Sequence, residues 1–144
     1  VLSCQRLYLP DDVKLTSSTI NVSSVLVSDA EHIYANSNYK TFTSVEYIRE
    51  QIEQGPSSAY RIGDELVGWA LTHDDGAMGM LHVLDKYRRK GIAKAVVVDL
   101  IEQIRSLGLT PFTYVEHSNN ASMELVKELG FLPDRAIHWV CLNR

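Results

Sequence analysis

The sequence predicts an α/β protein with a central mixed sheet (an α+β mixed sheet) and helices on both of its faces. Residues 58–84 contain three short apolar runs separated by turn residues, which is typical of a strand meander. Residues 92–107 form a long amphipathic segment that Gly108 ends, which indicates a helix. A strand, a helix and further strands follow, and a strand–helix–strand unit joins parallel strands by a right-handed crossover.

The segments before the meander have weaker patterns. Residues 1–20 show no clean alternation, and residues 1–22 are therefore left as an uncertain N-terminal segment. Residues 23–27 are rich in β-branched side chains and are predicted to form a short strand. Capping boxes at residues 28–31 and 43–46 predict two helices, the first beginning at Ser28 and the second at Thr43. The first should run to about Asn36, and Gly55-Pro56 should end the second.

The later elements are predicted more firmly. Strands are expected over residues 58–62, 66–72 and 77–84, and again over 111–116, 131–132 and 136–142. The helix after Gly91 should bury one stripe of side chains: Ile92, Val96, Leu100, Ile104 and Leu107. A last helix should begin after Ser118-Asn119 and end at Gly130. The parallel pair is predicted between residues 78–84 and 113–116, within a single domain of residues 1–144.

Composition limits the classes of partner. The chain has 144 residues and a net charge of -4, which argues against an extended nucleic-acid-binding surface. No apolar run is long enough to span a bilayer, so no membrane partner is expected. Cys4 and Cys141 are interpreted as reduced thiols in a cytoplasmic protein. The His residues show no metal-ligand spacing, so no metal is predicted, while a homodimer and a longer parent chain stay open.

A basic turn precedes the long helix. Its cations are close together in a chain that has only 14 Lys and Arg residues: Lys86, Arg88, Arg89, Lys90 and Lys94. Gly91 stands where the helix begins, and a helix N-terminus offers unpaired N–H donors to an anion. A solvated surface turn accounts for the same charges, so composition leaves both interpretations open.

Two motifs carry a resemblance to a known family. Arg88-Arg89-Lys90-Gly91-Ile92-Ala93 fits R-x-x-G-x-A and resembles the acyl-CoA-binding motif of the GNAT acyltransferase superfamily. The helix from Asn119 to Leu129, followed by Gly130-Phe131, resembles a second motif of that superfamily. Gly68-Trp69-Ala70-Leu71 and the hairpin of residues 74–80 are most similar to the glycine N-acyltransferase-like, or FR47-like, branch.

The resemblance implies a GNAT-like acyl-CoA N-acyltransferase fold with acetyl-CoA, or another acyl-CoA, as co-substrate. The pantetheine arm is expected along Leu81, His82 and Val83, with the two parallel strands splayed apart and an N–H near His82 or Val83 stabilising the oxyanion. The residues expected around the pyrophosphate are Arg88, Arg89, Lys90, Gly91, Ile92, Ala93 and Lys94. Ala93 is expected to be small so that the helix comes close, and Asn119 either touches the pantetheine or only caps its helix.

The resemblance also implies transfer of an acetyl or other short acyl group to a primary amine by direct attack. The expected acceptor is a small amine or amino acid, with a protein N-terminus or lysine as the alternative. Many family members carry Glu at the position of Ala77 and Tyr at that of Val126, and both are missing here. Tyr114 and Glu116 share one strand face and are the candidate catalytic residues, with Glu116 the preferred base.

Alternatives to this assignment stay open. Glu116 also has an explanation as a solvated carboxylate at a strand end, and His82 as a buried or helix-packed histidine. Asp75 and His117 are weaker candidates for the border of the acceptor site. An acyl-CoA-binding module without turnover is the competing hypothesis for the whole chain, followed by a nucleic-acid or phosphoprotein binder that uses the basic turn.

Overall fold

The computed structural model describes residues 2–16 and 18–139. Within them, the strands are β1 Leu2–Tyr8, β2 Ser57–Ile62, β3 Glu65–Thr72, β4 Met78–Val83, β5 Phe112–Glu116 and β6 Leu132–Trp139. The α-helices are α1 Ala30–Ala35, α2 Val45–Gln54, α3 Ile92–Ser106 and α4 Asn120–Leu129. Short 3-10 turns cover Val27–Asp29, Lys40–Phe42 and Asp85–Tyr87.

The strands form one mixed sheet in the order β2-β3-β4-β5-β1-β6. Among the described strands, only the β4–β5 pair is parallel, and the other neighbours are antiparallel. The mixed sheet and its parallel pair confirm the predicted fold class. Strand β1, from the segment left uncertain, lies inside the sheet between β5 and β6. A strand between two partners buries side chains on both faces, here Cys4 and Leu7, and therefore shows no simple alternation.

Helices cover both faces of the sheet, as predicted. Helices α3 and α4 pack on one face over a core of Leu7, Leu9, Val96, Val97, Leu100, Ile101, Val115, Val126 and Leu129. Helices α1 and α2 pack on the other face around Trp69 and Leu71, with Ile33 and Ile48 as their main buried side chains. The α3–α4 layer and the α1–α2 layer cover opposite faces of the sheet. The candidate site is the opening between them where strands β4 and β5 separate.

The predictions for the first half need three corrections. Residues 23–27 are not a strand, because pairing is limited to one bridge between Ser23 and Ala59. Helix α1 does not begin at Ser28: a 3-10 turn precedes it, and Asp29 turns inward to accept from the Leu26 N–H at 2.7 Å. Helix α2 is capped by Ser44 rather than Thr43, through a 3.1 Å bond from the Tyr47 N–H.

The second half follows the predictions more closely. Gly91, with φ 79°, is the N-cap residue directly before α3, and Gly108, with φ 77°, follows the end of the helix. Leu107 is 61% exposed and not part of the buried stripe, because α3 ends at Ser106. The strands predicted over 131–132 and 136–142 are one strand, β6, and residues 140–142 lie outside the described residues.

The start of α3 lies very close to the sheet. A Cβ added at Gly68 would lie 2.6 Å from Cγ2 of Ile92, so only glycine fits on β3 beneath the first helical residue. The resemblance implies that a small Ala93 lets α3 come close to the sheet. In the structure, Gly68 and Ile92 make that close contact, and Ala93 is only partly buried. This contact positions the helix N-terminus against the sheet.

Candidate functional site

Strands β4 and β5 separate almost as soon as they meet. Their register contains only the Met78–Thr113 pair, where the Thr113 hydroxyl also donates to the Met78 carbonyl at 2.8 Å. The next residue but one, Met80, has φ 51°, and the β3–β4 register is irregular opposite it. A bulge at this point bends β4 away from β5. The splayed pair that the resemblance implies is therefore present.

Beyond the bulge, β4 keeps one edge free of β5. The Leu84 N–H donates to Val67 on β3 at 2.9 Å, so the carbonyl and N–H of Val83 point to the opposite side, toward the gap. The Val83 carbonyl accepts from Arg88 Nε at 2.9 Å. The N–H of Val83 is therefore the available donor, whereas His82 pairs with Trp69 on β3. The sequence had left the choice between these two residues open.

The N-terminus of α3 presents a row of open backbone donors. In the described chain, no N–H from Gly91 to Lys94 donates to a protein acceptor, and the first that does is that of Ala95, to the Gly91 carbonyl at 3.0 Å. The αL conformation of Gly91 turns the chain into the helix, and Arg89 also has a positive φ of 63°. These amides and the helix dipole form an anion-binding geometry.

The basic side chains around these amides divide into two groups. Arg88 turns back on the protein, toward the Val83 carbonyl and toward Asp85 at 3.1 Å. Lys94 reaches Glu128 of α4 at 3.3 Å. Arg89 and Lys90 are exposed. Arg88 and Lys94 therefore hold the turn and its neighbouring helix, and the side chains of Arg89 and Lys90 extend from the rim. The fifth cation, Lys86, lies over the Tyr87 ring, 5.1 Å from its centroid.

A cavity of about 390 Å³ opens where β4 and β5 separate. This volume lies within the range of small-molecule sites. Its lining includes the predicted residues Leu81, His82, Tyr114, Glu116 and Asn119, together with Asp75, but not Val83, His117 or residues 88–94. Ala77 and Val126 stand where many family members carry Glu and Tyr, and neither adds a polar group to the cavity. Ala77 is fully buried, and Val126 lines the cavity with an apolar side chain.

Glu116 is engaged by a residue that the sequence did not single out. The hydroxyl of Tyr39, from the segment between α1 and α2, donates to Glu116 Oε2 at 2.8 Å. Burial, and next the Glu116 carboxylate, raise the pKa of Tyr39 to about 12, so its phenol stays protonated. Asn119 accepts from the Ser122 N–H at 3.2 Å, which establishes its capping role, and its side chain also faces the cavity.

Tyr114 lies on the same face of β5 as Glu116, as predicted. Its hydroxyl interacts with Asp75, and Arg6, its register partner on β1, also interacts with it. Burial first, and then Asp75, raise the pKa of Tyr114, while Arg6 opposes the shift. Tyr114 is therefore a protonated phenol next to a carboxylate.

The cavity lining also contains Tyr47, His73 and Asp74, which the sequence did not assign to a site. Tyr47 comes from α2, whereas His73 and Asp74 follow the end of β3. The sequence pointed to this part of the chain through the hairpin of residues 74–80 and the candidate Asp75, but neither indicated that Tyr47, His73 and Asp74 face one cavity. These residues meet because α2 packs across the β3–β4 turn.

His82 stacks on Trp69, with ring centroids 5.1 Å apart. Burial, and next the Arg88 cation, lower the pKa of His82, and Asp85 opposes this. A histidine with a folded-state pKa below its unfolded value of about 6.5 binds its proton more readily in the unfolded chain. The stability that it contributes is therefore present above that value and is lost as the pH falls toward its folded pKa.

We expect His82→Gln to flatten the dependence of the unfolding free energy on pH between about pH 7 and about pH 5. Urea denaturation at several pH values measures this slope. The matched control is His117→Gln at an exposed position, which should leave the slope as in the parent. Equal slopes in all three proteins would contradict the assigned role of His82.

The comparisons with known proteins agree with this geometry. The family model described as FR47-like protein matches residues 60–140, more than half of the chain. The chain belongs to the FR47-like family. It is 28% identical over 127 residues to human glycine N-acyltransferase-like protein 1, a match that covers 85% of this chain and 41% of the human protein.

Solved structures show the fold of this FR47-like chain. A Drosophila protein matches with a TM-score of 0.87 at 22% identity, covering 94% of this chain and 48% of that one. A putative GNAT-family acetyltransferase from Novosphingobium aromaticivorans matches with a TM-score of 0.74 at 18% identity, over 94% and 61%. An acetyltransferase-like protein of Salmonella typhimurium, solved with acetyl-CoA, gives 0.63 at 17% identity, over 78% and 79%.

These matches confirm the predicted GNAT-like fold and the FR47-like branch. The chain spans about half of the Drosophila protein and less than half of the human relative. No helix in residues 2–16 and 18–139 combines the length and the apolarity needed to cross a membrane.

Proposed function

We propose that this FR47-like protein is an acyl-CoA-dependent N-acyltransferase that transfers an acetyl or other short acyl group to a primary amine. The observation that carries the proposal is the row of open N–H groups from Gly91 to Lys94 beside a strand pair that splays over a cavity. An extended ligand with an anionic end fits this arrangement, since the amides bind phosphate and the open strand edge binds an amide chain.

The proposed position of acyl-CoA follows from these groups. The pyrophosphate rests on the backbone of the turn and the first turn of α3, over Arg89, Lys90, Gly91, Ile92, Ala93 and Lys94. Arg89 and Lys90 add positive charge at the rim, while Arg88 keeps the turn attached to β4. The pantetheine arm lies along Leu81 to Val83, and Asn119 borders it from the start of α4.

The reaction is direct attack of the amine on the thioester. The amine loses a proton, the tetrahedral oxyanion needs a donor, and the thiolate leaves. The N–H of Val83 faces the gap and is the proposed oxyanion donor. Tyr114 and Glu116, the candidate proton-transfer residues of the sequence, both face the cavity, and their bonds to Asp75 and Tyr39 keep them oriented there.

The charge of the cavity favours one class of acceptor. Among the described lining residues, the charged side chains are the carboxylates of Asp74, Asp75 and Glu116, and no Lys or Arg lines the space. A primary amine that arrives as a cation is attracted to this lining, whereas the carboxylate of a free amino acid meets like charge and finds no cationic partner. We therefore place small amines, lysine side chains and peptide N-termini ahead of free amino acids.

Paired acceptors test this preference. We expect acetyl-CoA to bind in calorimetry, and CoA thiol release to be faster with ethylamine than with β-alanine, because the two differ mainly by the acceptor carboxylate. Glycinamide and glycine form a second pair, compared at a pH where both amines are largely neutral, because the carboxylate of glycine also raises the pKa of its amine. A clear preference for glycine and β-alanine would contradict the assigned acceptor class, although not the transfer reaction.

Two other outcomes separate the competing functions. Tight CoA binding without acylation of any amine would identify a binding module. If no CoA binds, and a phosphopeptide or nucleic acid binds instead, the acyltransferase proposal is wrong.

A further inference from the structure

His73 lies at the point where β4 begins to leave β5. Its ring packs over Gly79 on β4, where an added Cβ would lie 2.4 Å from Nε2 and 2.6 Å from Cδ2. Gly79 directly precedes Met80, the residue of the bulge. Glycine at this position therefore makes room for the imidazole, whose Nε2 edge faces β4 two residues before Leu81, and His73 lines the cavity.

The other ring nitrogen belongs to a hydrogen-bonded chain. Nδ1 of His73 lies 3.0 Å from the Tyr47 hydroxyl, which lies 3.3 Å from Asp74 Oδ1 and also accepts from the Asp74 N–H at 3.1 Å. A phenol has one proton and two acceptor sites. All three bonds form together only if Tyr47 donates to Asp74 and accepts from Nδ1–H. This arrangement leaves Nε2 with its lone pair.

The surroundings of the ring suit a base. The titratable groups that face it are Tyr47 from α2 and Asp74 and Asp75 from its own turn, and Tyr114 of β5 interacts with Asp75. Burial lowers the pKa of His73, and the two aspartates oppose this without reversing it. Burial also raises the pKa of Tyr47, so the phenol keeps the proton that it donates to Asp74. The imidazole is therefore neutral near pH 7.

We infer that His73 is the catalytic base of the proposed reaction, taking the proton of the attacking amine at Nε2, with Tyr47 and Asp74 as its positioning residues. The inference rests on the proposed acyl transfer and deepens it. An amine that enters as a cation first releases one proton to water, and its nitrogen then forms the C–N bond to the thioester carbon as a second proton passes to Nε2. The C–S bond then breaks, its electron pair leaves with sulfur, and the imidazolium returns the proton to the thiolate. The products are an amide and CoA thiol.

This assignment accounts for the missing carboxylate at position 77. Ala77 directly precedes β4 and pairs with His73 through the bond from the His73 N–H to the Ala77 carbonyl, at 2.8 Å. In the proposed mechanism, His73 at the end of β3 accepts the amine proton in place of the Glu that many family members carry at position 77. Glu116, already bonded to Tyr39, then orients the segment between α1 and α2.

The test measures the pH dependence of kcat/KM for acetyl-CoA and glycinamide, with CoA affinity measured separately by calorimetry. Protonation of the free amine lowers kcat/KM in every variant, and in the parent protein a second acidic limb should appear with an apparent pKa below the ordinary histidine value of about 6.5. His73→Gln should lower kcat by about 100-fold or more and remove this acidic limb, with CoA affinity unchanged. His117→Gln, outside the cavity, should leave both the rate and the profile as in the parent.

Two further variants probe the positioning of the ring. Gly79→Ala should displace the imidazole and lower kcat, because its Cβ takes the space of Nε2. Tyr47→Phe should lower kcat less and move the acidic limb, since Nδ1 loses its acceptor while Nε2 remains.

Three outcomes would overturn the assignment. In the first, His73→Gln retains the rate and the limb while Glu116→Gln removes them, which moves the base to Glu116. In the second, no amine is acylated although CoA binds, and His73 is then a structural histidine of a binding module. In the third, CoA does not bind at all, and the proposed function fails before the question of the base arises.

Discussion

Replacing Gly91 with Val is expected to lower the affinity for CoA by about 100-fold or more. Gly91 has φ 79°, a conformation that a β-branched residue resists, so the substitution rotates the peptide groups that lead into α3. A bound phosphate then loses two or more charge-assisted hydrogen bonds, each contributing about 1.5–3 kcal/mol. Isothermal titration calorimetry with CoA measures the effect directly.

Gly108 offers a matched control at the other end of the same helix. It has φ 77°, and an added Cβ would meet no atom within 4 Å. Gly108→Val should therefore cost about the same 1–2 kcal/mol of folding stability as Gly91→Val while leaving CoA affinity unchanged. If both variants bind CoA like the parent, the amides of α3 are not the phosphate site.

Replacing Arg61 with Met is expected to lower the free energy of unfolding by about 3 kcal/mol. Arg61 on β2 forms two hydrogen bonds with Asp29, whose side chain is only 11% exposed. Without Arg61, the buried carboxylate keeps only the bond from the Leu26 N–H. Methionine retains most of the aliphatic packing, so the loss reports the unpaired charge, and urea denaturation measures it.

The Arg49–Glu31 pair provides the comparison. It joins α2 to α1 at 2.9 Å, but its side chains are 43% and 76% exposed. Water screens such a pair, so Arg49→Met should cost less than about 1 kcal/mol. Equal losses in the two variants would show that the burial of the Asp29–Arg61 pair has no special importance.

The sequence predicted the parts of the fold that depend on neighbouring residues. Gly91, Gly108 and Gly130 take positive φ values at the helix ends where the sequence placed them, because that conformation excludes most side chains locally. Asn119 caps α4 as its position indicated. The period of the apolar residues located strands β2 to β5 and helices α3 and α4 within a few residues.

Long-range pairing decided the elements that the sequence misjudged. Residues 23–27 have the composition of a strand but find a partner only at Ala59. The first residues show no strand pattern, yet they form β1 because β5 and β6 offer edges on both sides. The Asp29 carboxylate, and not Ser28, organises the start of α1 because Arg61 from a distant strand draws it inward.

The candidate site divides in the same way. The sequence by itself determined the row of open N–H groups at the start of α3, the proposed phosphate site, because R-x-x-G-x-A is contiguous and its N–H donors come from one turn of one helix. Only the tertiary structure decided the groups around the acceptor, where Tyr39 meets Glu116 and Tyr47 meets His73 and Asp74. Those contacts depend on how α1 and α2 pack across the sheet, and no local pattern in the chain encodes the distance between side chains so far apart in sequence.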